Sequence, residues 1–236
     1  PCDQYGAFFR SRSGIELLTF QSERGITIPA VLFVPERAGS WPGIVYVHED
    51  GKEAEAAETG TIQMLVNEGN VVLAIDVRGI GETASADAIS ALHPHMGVEG
   101  YHVYQYGLLG HTLVGRRVHD VLRAVAVLME RPEVAGTSVS VVGQGLGGLL
   151  ALFAAAIDER IGTAVCLQTP LSYREIATAE YPSYHPRWFV PGILRLGDLP
   201  EVAACVAPRR QDGEAQRKAF RRRVFCAAAS MPPKVR

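Results

Sequence analysis

The stretch TSVSVVGQGLGGLLALFAAAI, residues 137–157, decides how this chain is read. Its β-branched start predicts a buried strand over 137–142, and its alanine- and leucine-rich end predicts a helix over 146–157. Between them the glycines of Gly143-Gln144-Gly145-Leu146-Gly147-Gly148 predict a sharp strand-to-helix turn. Gly143, Gly145 and Gly148 fit G-x-G-x-x-G, in which a pyrophosphate approaches backbone amides at a helix N-terminus. That reading wants a ribose-holding acidic residue about 20 positions on. Gln168 and Thr169 stand there instead, and the turn follows a late strand. Gly143 to Gly147 also fit the nucleophile-elbow frame G-x-S-x-G, with Gly145 where the serine belongs. The centre of an elbow is strained by ~1–3 kcal/mol for a non-glycine residue. Glycine therefore eases the turn while deleting the nucleophile. A tight turn without chemistry is the third reading.

Working outward, short apolar runs predict strands over 15–20, 27–34, 43–48, 71–77 and 163–167. Glu23-Arg24-Gly25 separates the first two as a hairpin turn. Helices are expected over 53–67, 112–130 and in a C-terminal stretch, 214–229. Alternating apolar strands and helices give a mostly parallel sheet covered on both faces, with an antiparallel N-terminal edge. The expectation is one α/β domain over 1–236. Its Pro-, Tyr- and Ser-rich region 173–191 caps one end of the sheet, and an atypical basic segment follows at 207–236.

The 236 residues, 47% hydrophobic and 20% charged, are enough for a sizeable core and too apolar for a disordered chain. A net charge of −2 speaks against nucleic acid or an acidic membrane as partner. Charge is uneven: 207–236 hold nine basic and two acidic residues, read as the solvated face of a helix through Arg221-Arg222-Arg223. Cys2, Cys166, Cys205 and Cys226 are scattered without metal spacing, and Cys166 falls in a strand pattern as a core residue. No apolar run reaches the ~18 residues of a membrane span. The chain opens at Pro1 without a signal-peptide pattern, so a mature form, an excised domain and a trimmed chain all fit, and the compartment stays open.

The stretches PAVLFVPERAGSWPGIVYVHEDGK (29–52), VVLAIDVRGIGET (71–83), LVGRRVHDVLRAVAVL (113–128) and SVSVVGQGLGGLLALFAAAIDERI (138–161) resemble the α/β-hydrolase superfamily, in its acetyl xylan esterase and dienelactone-hydrolase-like branch. They arrive in that family's order. The resemblance covers roughly 15–208 and implies a three-layer α/β-hydrolase fold and carboxylic-ester hydrolysis without a cofactor. It puts Gly145 at the nucleophile position. Oxyanion donors become the Leu146 amide and an amide at Glu49 or Asp50, after His48. Glu49 departs from the glycine usual there, and its carboxylate opposes an oxyanion unless it points away. Asp212 matches the acid, but the strand that positions it is missing between Arg210 and Gln211. The catalytic histidine belongs after a further strand near Lys234-Val235-Arg236, and no histidine follows His185. A sheet without its last two strands exposes an edge that favours pairing with a second copy.

Other residues carry weaker signals. His93 and His95 lack companions for a metal site, so no metal is expected. The group His93, His95, His102, His111 and His119 reads as loop and surface histidines. Arg78 either binds a substrate carboxylate or, more simply, pins its loop through a carboxylate bridge. Tyr184 and Trp188, with Tyr101, Tyr104, Tyr106, Tyr181 and Phe189, either line a pocket for sugars or aryl groups or pack loops together. His48, Arg78, Tyr184 and Trp188 are the expected substrate contacts. The expected function is that of an ester hydrolase family member impaired at Gly145, acting on a small ester or carbohydrate-derived ligand. Its rivals are a pseudoenzyme that binds a ligand or partner, and a dinucleotide-binding oxidoreductase.

Overall fold

A computed structural model describes residues 14–85, 97–180 and 184–206, together with the backbone of 223–227. β1 (Ile15–Glu23) and β2 (Ile26–Phe33) form the expected hairpin, turning at Gly25 with φ +82°. β2 then lies antiparallel to β4 (Val71–Ile75). From there β3 (Gly43–His48), β5 (Val139–Gln144), β6 (Ile161–Leu167) and β7 (Arg223–Ala227) pair in parallel, giving the sheet order β1-β2-β4-β3-β5-β6-β7.

Alternation along the strands splits the core in two. Val45 and Val47 of β3 face one side with Val71, Leu73 and Ile75 of β4. Ile44, Tyr46, Val72 and Ala74 face the other, where α1 (Thr61–Asn67) contributes Ile62. The first side is covered by α3 (Leu113–Met129) and α4 (Leu146–Ile157). On α3 the residues Val114, Val118, Val121, Val125 and Leu128 recur at helical spacing and are all buried. Thr112 caps that helix by accepting the Gly115 N–H. Cys166 is fully buried in β6, as a core residue.

Three expectations are corrected. The helix expected over 53–67 begins only at Thr61, because the Glu55 carboxylate turns back to accept from both the amide and the hydroxyl of Thr61, at 3.1 Å each. Glu55 thus serves as an N-terminal partner outside the helix. A helix that was not expected, α2 (Gly97–Leu108), precedes α3; glycines at 97, 100 and 107 weaken its propensity, and Gly100 is its one buried residue. In the C-terminal stretch read as helix, Arg223–Ala227 is instead a strand, paired in parallel with Thr163–Leu167 of β6. A strand therefore does follow β6 in the sheet, where none was expected. No helix among the described residues is long and apolar enough to cross a membrane.

Candidate active site

The parallel strands end at a common edge, and the glycine turn sits there. Gly145 follows β5 at φ 60°, ψ −126° and stands at the N-cap of α4. Its amide donates to the Leu167 carbonyl at 2.8 Å, and its own carbonyl accepts from Thr169 Oγ1 at 3.1 Å. The neighbouring glycines are demanded by close approach. A Cβ on Gly147 would run into the Val47 carbonyl, and one on Gly148 into Thr169 Oγ1. These glycines let α4 lie against β3 and β6, so their spacing needs no pyrophosphate. Thr169, which occupies the ribose-binding position of a dinucleotide site, is turned to the elbow instead.

Glu49, the residue after β3, points at the elbow rather than away from it. Its Cδ lies 2.5 Å and its Oε1 2.7 Å from where a Cβ on residue 145 would stand. Oε2 accepts from Arg187 Nη2 at 3.2 Å. Arg187 Nη1 donates to Glu99 of α2 at 2.5 Å, and the other Glu99 oxygen accepts from Arg117 Nη2, also at 2.5 Å. Arg117 is wholly buried on α3 and donates its Nε–H to the Arg78 carbonyl at 2.9 Å. Four charges thus alternate in a ladder from the core to the elbow. Burial works against the Glu99 anion, but the two guanidiniums outweigh it and hold its carboxyl below the ordinary range. Arg117 Nη1 and Arg187 Nε are buried without a hydrogen-bond partner among the described residues.

The loop carrying Glu49 is pinned. His48, buried, accepts the Asp50 N–H on Nδ1 at 3.0 Å. Its ring shapes the loop in the place where a substrate contact was expected. Lys52 Nζ, also buried, lies between Asp76, at 2.9 Å, and Glu82. Asp76 takes the Lys52 and Glu82 amides as well. Leu146, the first residue of α4, keeps its amide at the helix N-terminus beside Gly145.

The other expected contacts have protein partners of their own. Arg78 gives its amide and Nε to Asp120 Oδ2 at 3.1 and 2.9 Å, its Nη2 to Oδ1 at 2.5 Å, and its Nη1 to Glu23. It is the loop-pinning bridge. Trp188 is buried with its carbonyl accepting from the Tyr173 hydroxyl at 2.6 Å, and Tyr184 stands edge-on to it at 5.4 Å. Both pack loops. Asp212, His93 and His95 lie outside the described residues. His119 Nδ1 is 3.1 Å from Ser22 Oγ, which donates to Asp120 at 2.5 Å. The Ser22 proton thus goes to a carboxylate already bound by Arg78. No group of three or more metal-ligating side chains occurs among the described residues. A cavity of about 330 Å³ lies between the loops after β3 and β4 and the start of α2, walled by Glu49, Asp50, Glu99, His102, His185 and Arg187; Glu49 is the wall residue that also reaches the elbow. Sequence reading missed Glu99, Arg117 and Arg187. The available signal was Arg117 and Asp120, two charges on the apolar stripe of α3.

The profile of the acetyl xylan esterase (AXE1) family matches residues 13–181, from the first strand through the elbow. The chain belongs to the acetyl xylan esterase family. YtaP of Bacillus subtilis (strain 168), which carries the name of a hydrolase, is 23% identical over 214 residues, covering 85% of this chain and 68% of that one. A Bacteroides fragilis protein named as an acetyl xylan esterase superposes with a TM-score of 0.74 at 16% identity, over 89% of this chain. The chain spans 62% of that protein, less than two thirds of its length. The acetyl xylan esterase of Paenibacillus sp. R4 gives a TM-score of 0.54 at 24% identity, over 77% of this chain and 59% of that one. At these identities the structural likenesses establish the α/β-hydrolase fold, which agrees with the strand order described above.

Proposed function

We propose that this chain is an ester hydrolase of acetyl xylan esterase type in which Gly145 holds the nucleophile's place, so that the covalent serine route is lost. The pocket walled by Glu49 then receives a small ester or an acetylated carbohydrate without forming an acyl-enzyme. The observation that carries the reading is Gly145 itself, at φ 60°, ψ −126° between β5 and α4, at the tip of a strand–turn–helix; the Leu146 N–H that follows it is the proposed oxyanion donor. A triad needs a hydroxyl or thiol at that tip to be acylated. Glycine offers none.

The test is pre-steady-state hydrolysis of p-nitrophenyl acetate, with intact-mass analysis after incubation with a fluorophosphonate. The expected result is no stoichiometric burst and no mass gain, together with saturable binding of an acetylated xylo-oligosaccharide by calorimetry. A burst of one equivalent, or an adduct on the elbow peptide, would overturn the reading.

A further inference from the structure

We infer that Glu49 is a catalytic general base that has taken over the place of the missing side chain, and that the chain hydrolyses small esters in one step by activating water. The inference rests on the reading of Gly145 given above. Its Cδ lies 2.5 Å from where a residue-145 Cβ would stand, so the carboxylate fills the space from which a nucleophile would project. Its two oxygens differ. Oε2 is held by Arg187, itself held by Glu99 and through it by the buried Arg117. Oε1, the oxygen nearer the tip, has no hydrogen-bond partner among the described residues. The ladder therefore orients one oxygen and leaves the other free to accept a proton. Glu49 also walls the 330 Å³ cavity, so one residue reaches both the elbow and the space a ligand would fill.

In the reaction, Oε1 takes a proton from water as the water oxygen bonds to the acyl carbon. The carbonyl π pair moves onto its oxygen, against the Leu146 N–H. On collapse the bond to the alcohol oxygen breaks, and the departing alkoxide takes the proton back from Glu49. The products are the carboxylic acid and the alcohol, with the carboxylate restored. A fixed negative charge at Glu49 opposes an oxyanion, but a base is neutral at the moment the oxyanion exists. The charge moves without accumulating.

Steady-state hydrolysis of p-nitrophenyl acetate is compared for the unmodified chain, Glu49→Gln, Gly145→Ala and the double variant, each checked for folding by circular dichroism. General-base catalysis contributes ~10²–10⁴-fold, so Glu49→Gln is expected to lose at least tenfold in kcat/KM. Gly145→Ala, whose methyl displaces the carboxylate, should lose about as much, and the double variant no more than either alone. The unmodified chain should show a solvent deuterium isotope effect above unity that Glu49→Gln lacks. Turnover at background, a Glu49→Gln rate within twofold of the unmodified chain, or additive losses would each overturn the inference. None of these results requires an acyl-enzyme, so the reading of Gly145 stands or falls separately, on the burst and the adduct.

Discussion

At the elbow, single atoms decide what the chain tolerates. Gly145 takes a backbone conformation that favours glycine, and Gly147 lies against β3 so closely that the Val47 carbonyl fills the place of a Cβ. A rigid backbone oxygen cannot swing aside as a side chain can. Gly147→Ala is therefore expected to cost about 2 kcal/mol, within the 1–3 typical of overpacking, read as a lowered urea midpoint at unchanged slope. The loss belongs to packing and needs no ligand. A denaturation midpoint equal to that of the unmodified chain would show that α4 is free to shift away from β3.

At the scale of elements, the region after β6 is organised by one carboxylate. Asp198 caps α6 (Leu199–Cys205), accepting the Leu199 N–H at 2.7 Å. It also accepts the amides of Tyr173 and Arg174 at the start of α5 (Tyr173–Thr178), at 2.6 and 3.2 Å, and the Ser172 hydroxyl at 2.5 Å. Burial raises its pKa, but the donors prevail, Ser172 foremost, and lower it to about 2 from an ordinary 3.8. A depressed folded-state pKa contributes stability that is present above the unfolded value and lost as pH falls through the folded one. Unfolding free energy should therefore decline between pH 3.8 and about 2. Asp198→Ala should remove part of that slope and cost ~1–2 kcal/mol at neutral pH, as the loss of a helix cap does. Urea melts at stepped pH measure both. A slope unchanged in the variant would assign the acid sensitivity to other carboxylates.

Across the whole molecule, the ladder Arg117–Glu99–Arg187–Glu49 ties α3, α2, the turn at Pro186–Trp188 and the end of β3 to one another. Its inner end is expensive to disturb, because Arg117 is wholly buried and Glu99 is its carboxylate partner. Breaking such a pair from one side typically costs ~3–5 kcal/mol, since a buried charge is left uncompensated. Glu99→Gln should approach that cost, whereas Glu49→Gln, at the partly exposed outer end, should stay within ~1 kcal/mol. Thermal melts of the two variants check the gradient. Equal losses would mean that the inner pair is not buried in solution as it is here.

How much was legible beforehand follows from the range of the forces. Period-2 and period-3.6 burial is written into neighbouring residues, so β3, α3 and α4 begin and end within a few positions of their expected bounds. Where the structure departs from that pattern, the deciding feature is one that hydrophobic periodicity does not carry. Glu55 holds back the start of α1, and pairing with β6 makes a strand of Arg223–Ala227 where composition suggests a helix.

The sequence alone determined the alternation of strands and helices, the place of Gly145 in the glycine turn and the absence of a serine there, since these are properties of local pattern; that the elements follow a family's order is what the resemblance implied. Tertiary structure alone decided where Glu49 points, that Arg78 is committed to Asp120 and Glu23, and that Arg117 and Arg187 meet at Glu99. Glu49 and Arg187 are 138 residues apart in the chain. Whether two such side chains touch depends on how strands and helices pack, which no spacing along the chain encodes.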